Sequence, residues 1–267
     1  MISFIRREFT RNRTSFIVYC VIAVCSAWMY ISLFPSIEKQ SAQLDEIMKS
    51  FPPAMMKAFG IDKAGFTTVE RFLSTELMSF IWPILSILFL VSRAGASIAG
   101  SIENRTLGLE ISMPLSRTRL YMSKFFGQLL ALCVFCVVSI PCIIPLCVVH
   151  DIDVDVSNIF SLTLLCFLFG LSVMSFSLCI SAATSDKGHV YFTLGGVLFV
   201  SFVANIVANI STGFSWLKHF SIFNYFSSFD VLTGESISAT SYAFFLCVAA
   251  ISTVAGLLIF RRRDLPV

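Results

Sequence analysis

Asn205 and Asn209 are the residues whose type and spacing most invite a chemical role. They lie four apart in an apolar run, so a helix there puts both amides on one face. An amide in hydrocarbon without a partner costs about 2–7 kcal/mol. That face must therefore meet protein or water, either as packing or as the wall of a transport path. Ser172, Ser175 and Ser177 cluster in another apolar run, and Ser177, Ser181 and Ser185 repeat every four residues, as do Ala96 and Gly100. These rows read as helix packing through small residues, where an interhelical hydrogen bond averages about 0.6 kcal/mol.

Other chemistries lack their parts. Cys133 and Cys136 sit three apart on one helix face, but a zinc site wants four ligands. The nine cysteines all fall in apolar runs and read as small hydrophobes in helix interfaces. His150, His189 and His219 lie outside or at the edges of those runs. There is no His-Glu-x-x-His for a metalloprotease and no GxxxxGK[ST] to cradle a triphosphate. No catalytic, metal or cofactor residue is predicted.

The elements that position these residues follow from composition. Hydrophobic residues make up 57% of the 267 and charged residues 13%, against about 25% charged in a soluble domain. Disorder, a collagen-like fibre and a disulfide-stapled module are excluded. The net charge of +3 is too small to argue for nucleic acid. A helix needs about 20 apolar residues to cross the hydrocarbon core. Runs at 16–34, 77–100, 125–149, 159–184, 190–210 and 242–260 meet that need, and they are too continuously apolar for barrel strands. The fold class expected is all-α: one polytopic membrane domain over 1–267 with six transmembrane helices and short amphipathic inner and outer helices.

Charge placement sets the orientation. With the N-terminus inside, the inner side holds Arg6, Arg7, Arg11, Arg13, Arg105, Arg119, Lys187 and the Arg261-Arg262-Arg263 run, among others. The outer side holds Lys39, Lys49, Lys57, Lys63, Arg71 and Lys218, offset by acids such as Asp151, Asp153 and Asp155. Both termini are then expected in the cytoplasm, in a cell membrane. Within the six runs there is no Asp, Glu or Lys, and Arg93, near the inner end of the second, can snorkel. The first run is longer than a signal-peptide core and is read as an uncleaved span.

Between the spans, residues 1–15 pattern as a basic amphipathic helix in the inner interface, with Ile2, Ile5 and Phe9 on one face. The outer loop 35–76 has helical spacing at Leu44, Ile47, Met48 and Phe51, a Pro52-Pro53 break, and a capping box at Thr67-Thr68-Val69-Glu70. The aromatic-rich loop 213–238 reads as short helices in or near the outer leaflet. In the inner loop, Leu107, Ile111 and Leu115 recur every four residues, and Met113-Pro114 ends a short helix. Its apolar side must bury on the membrane, its own bundle or a partner.

That inner loop resembles the one in ABC-2 type transporter permeases. An acid precedes Thr-Leu there, followed by Pro-hydrophobic-Ser-Arg and a basic residue entering span three. Glu103, Thr106-Leu107, Pro114-Leu115-Ser116-Arg117 and Lys124 occupy those places, and Phe260-Arg261-Arg262-Arg263-Asp264-Leu265 resembles the family's ending. Arg105 departs from a common Gly, and Gly108 from a common acid, with Glu110 two residues later. The resemblance implies an exporter permease coupled to a separate ABC ATPase, expected in two copies, through residues 102–117. The coupling residues it implies are Glu103, Arg105, Thr106, Leu107, Glu110, Pro114, Ser116 and Arg117. It also implies a second permease copy or a sister permease, with ATP and Mg on the ATPase and no cofactor on this chain. The rival is an ion-coupled secondary carrier or channel. The scarcity of charge within the runs argues against it and favours an amphipathic or apolar cargo over a small ion.

Overall fold

The computed structural model describes residues 2–40, 68–111, 116–210 and 212–263. Among these the regular structure is helical. The order is α1 (Ile2–Thr10), α2 (Arg13–Glu38), α3 (Val69–Glu103), α4 (Leu107–Ile111), α5 (Arg117–Val149), α6 (Val156–Ala183), α7 (Lys187–Ile210), α8 (Ser228–Leu232) and α9 (Ala239–Arg262). Six of them, α2, α3, α5, α6, α7 and α9, are long and apolar enough to cross a membrane. Each runs past its apolar stretch into polar flanks, because backbone hydrogen bonding continues wherever the flank has no breaker. The segment around Leu44 to Phe51, the Pro52-Pro53 break and Met113-Pro114-Leu115 lie outside the described residues.

α6 is the central helix and packs on α9, α3 and α5. α3 and α6 are the most buried of the six, α2 and α7 the least. Aromatic rings fill the core. Trp82 stacks on Phe226 with centroids 6.1 Å apart and packs beside Phe135 and Phe169. Its indole N–H donates to Ser139 Oγ at 3.0 Å, so the one polar atom of the ring is satisfied. Phe226 and Phe223 come from the aromatic loop, while Phe214, Trp216 and Phe220 of that loop are exposed. The loop thus closes one end of the bundle, here the aromatic end. The basic end holds α1, α4 and the last turn of α9.

Several expectations are corrected locally. The helix expected over 1–15 stops at Thr10, and α2 begins at Arg13 after Asn12 turns into the left-handed region (φ 54°); Asn tolerates that conformation better than most residues. The cap of α3 is Thr68 rather than Thr67, its Oγ1 accepting from Arg71 N–H at 3.5 Å. Glu70 then lies one residue short of the reciprocal position of a capping box. Residues 74–81 of α3 form a π-helical stretch. Pro83 follows it and offers no N–H to the Ser79 carbonyl. Near its other end α3 breaks at Ile98, where Ser181 Oγ donates to Ala94 O at 2.6 Å and accepts from Ala99 N–H at 3.0 Å. Ser181 therefore packs as its row suggested, and it also replaces bonds the helix loses.

Candidate functional site

A buried charge cluster organises the basic end. Lys124, on α5, is 3% exposed; its Nζ lies 2.9 Å from Glu110 Oε2 on α4 and 3.9 Å from Glu8 Oε2 on α1, and it donates to Ser97 O at 3.0 Å. Arg11 pairs with Glu8 at 3.6 Å and donates to Ser97 O and Ser101 Oγ. Burial pushes the Glu8 carboxyl up, but Lys124, Arg11, a Ser97 hydrogen bond and Arg93 together hold it below its ordinary value of 4.5. Gly127 lets α1 approach α5 this closely: a Cβ there would sit 2.6 Å from Glu8 Cβ.

Arg93 does not snorkel. It is 6% exposed and donates to the carbonyls of Glu8 (2.8 Å), Phe9 (3.3 Å) and Arg11 (3.0 Å). It thus caps the C-terminus of α1, where carbonyls lack intrahelical partners and a cation is favoured. The same device recurs at this end. Arg117 donates to Arg261 O (3.2 Å) and Arg263 O (2.7 Å). Arg263 donates to Ala182 O (2.8 Å) and Thr184 O (2.7 Å) at the end of α6 and to Ser185 Oγ. The runs themselves hold no Asp, Glu or Lys, but the helix of the third begins before its run, at Arg117 and not near 125, and so carries Lys124, which is buried and ion-paired.

The residues implied for coupling divide into two groups. Glu103 and Arg105 are exposed; Glu103 accepts the backbone N–H of Lys187 at 3.1 Å and so holds the start of α7. Arg105 stands at φ 55°, where glycine meets no Cβ clash, which gives a physical reason for the Gly common at that place. Thr106 is half-buried, its Oγ1 donating to Ser101 O. Ser116 is exposed and caps α5, accepting from Arg119 N–H at 3.3 Å, and Arg117 is half-buried. Leu107 and Glu110 instead face the bundle. Leu107 is 2% exposed among Ile98, Leu120, Tyr121, Leu178 and Phe260, and Glu110 pairs with Lys124. Leu107, the one member of the apolar side of α4 with a described side chain, therefore buries in its own bundle. Pro114 lies outside the described residues.

Glu8 and Arg11 were not singled out by sequence reasoning as site residues. The one available signal was an acid, Glu8, in an otherwise basic N-terminal helix.

Asn205 and Asn209, both half-buried, line a cavity of about 220 Å³ at the aromatic end. Ser74 and Ser79 of the π-helical stretch, with Ser227, Ser228 and Asp230 around α8, form its other polar walls. Asn205 Oδ1 is buried with no hydrogen-bond partner. The two asparagines do share a face, and that face meets a polar cavity.

No curated protein matches the chain. The model of a family described as ABC-2 family transporter protein matches residues 4–265. With six membrane-crossing helices and a match that spans nearly the whole sequence, the chain belongs to the ABC-2 transporter family and is a multi-pass membrane component of such a transporter.

Proposed function

We propose that residues 1–267 form one transmembrane domain, half of an ATP-driven exporter in a cell membrane, with the basic end and both termini in the cytoplasm. A separate ABC ATPase docks on residues 102–117, and two ATPases serve two permease chains, identical or sister. ATP and Mg belong to the ATPase. The observation that carries this reading is mechanical. The exposed corner Glu103-Asn104-Arg105 ends α3, caps α7 through Glu103, and adjoins α4, which Lys124 ties to α5. A push on that corner moves three spans and α1 together. The Asn205/Asn209 cavity, at the opposite end of α7, is the proposed transport path.

The charge swap Glu103→Lys with Arg105→Glu tests the docking surface. Both side chains are exposed; losing the Glu103 cap on α7 should cost only about 0.5–2 kcal/mol, while stimulation of the reconstituted ATPase by the folded permease should drop about tenfold or more. Normal stimulation would show that the corner does not dock. Orientation is tested separately. Ser3→Cys in a cysteine-free background should label only with a membrane-permeant reagent, and labelling by an impermeant one in intact cells would reverse the assignment.

A further inference from the structure

The Asn205/Asn209 cavity adjoins a second one, with the rings of Phe80, Phe202 and Phe223 between them. That neighbour, about 320 Å³, is lined by Ile84 and Leu88 on α3, by Leu198 and Phe199 on α7, and by little that is polar. Ser79, Phe80, Phe202 and Phe223 line both. The groove between α3 and α7 thus has a polar chamber at the aromatic end and an apolar chamber one to two turns deeper. Ile84 (51% exposed) and Leu88 (54%) leave the apolar chamber open at its side.

We propose that this groove binds a single-chain amphiphile whose head is neutral or positively charged and rich in hydrogen-bond donors. The head sits in the Asn205 chamber and the chain lies along Ile84, Leu88 and Leu198. The chemistry selects this occupant. Asn205 Oδ1 is a buried acceptor that wants a donor. Among the described residues no Lys, Arg or His lines the polar chamber. An anionic head would meet no cation among the described residues there, while hydroxyls or an ammonium would meet the amide oxygens and the serine hydroxyls. The apolar chamber supplies no partner for a second polar group. The chambers match the mostly apolar, partly polar lining of small-molecule sites. The proposal rests on the reading of the Asn205 face as the transport path, and it adds the class of cargo.

The test uses the full permease without ATPase in phosphatidylcholine nanodiscs, with dodecylamine carrying a diazirine near the chain end as probe. Cross-links are expected on residues 83–88 and 198–202. With competitors compared at equal mole fraction in the bilayer, dodecylamine and dodecyl maltoside should displace the probe at about tenfold lower levels than laurate. Asn205→Leu with Asn209→Leu should bring that preference close to parity, and Leu88→Trp should cut labelling of 83–88 several-fold with the fold intact. Labelling spread over other exposed apolar faces, such as Ile17 and Val21 on α2, overturns the proposal. So does equal competition by laurate, or a groove left unlabelled because a second copy fills it. Transport by the ATPase complex is scored apart from binding. Transport unchanged in the double Asn variant, with head preference lost, removes the path reading and leaves the binding site. Altered transport without groove labelling removes the amphiphile and leaves the path.

Discussion

Lys124→Met is expected to destabilise the protein by about 3–5 kcal/mol, the cost of breaking a buried ion pair by removing one partner. Lys124 is 3% exposed and faces two carboxylates, Glu110 at 2.9 Å and Glu8 at 3.9 Å. Methionine keeps the volume and deletes the charge, so the loss is electrostatic and not a cavity. Glu110 then has no cation beside it among the described residues, while Glu8 retains Arg11 at 3.6 Å. The double variant Lys124→Met with Glu110→Leu should therefore recover most of the loss, since an apolar pair of similar volume is often as stable as the ions it replaces. Thermal melts of the purified protein measure both. A loss under about 1 kcal/mol would mean that the pair behaves as a solvated surface bridge. Acid should act on the same cluster from the other side. Because the folded-state value for Glu8 lies below its ordinary 4.5, its contribution is fully present above that pH and is lost as pH falls through the lower folded value.

Leu107→Asp is expected to cost about 4 kcal/mol or more, enough to lower expression as well as melting temperature. Truncating a buried leucine alone costs about 2–5 kcal/mol, and here a carboxylate enters a site formed by Ile98, Leu120, Tyr121, Leu178 and Phe260 with no cation among them. Loss of ATPase stimulation in this variant would report a damaged bundle, whereas the same loss in the Glu103 and Arg105 swap would report a damaged docking corner. Leu107→Met, which preserves volume, should cost under about 1.5 kcal/mol and keep stimulation. A Leu107→Asp protein that melts like the parent would place the Leu107 side chain in solvent, free to face the partner.

The two variants mark where sequence reading ended. The all-α class, the number of membrane-crossing helices and the resemblance to ABC-2 permeases were legible because each rests on local pattern. Twenty apolar residues must cross as a helix whatever surrounds them, and a motif read along the chain needs no knowledge of its neighbours. The shared face of Asn205 and Asn209 was legible for the same reason, since helical periodicity fixes it. What that face meets was not legible. The cavity is assembled from α7, the turns around α8, and a π-helical stretch of α3 more than a hundred residues before either. The partners of Arg93 and Lys124 were hidden in the same way. A cation near a span end reads as a surface anchor in one dimension. Only tertiary packing brought the carbonyls of Glu8, Phe9 and Arg11 to Arg93, and the carboxylates of Glu8 and Glu110 to Lys124. Burial of charge is decided by partners distant in sequence, because only their combined field offsets the loss of water.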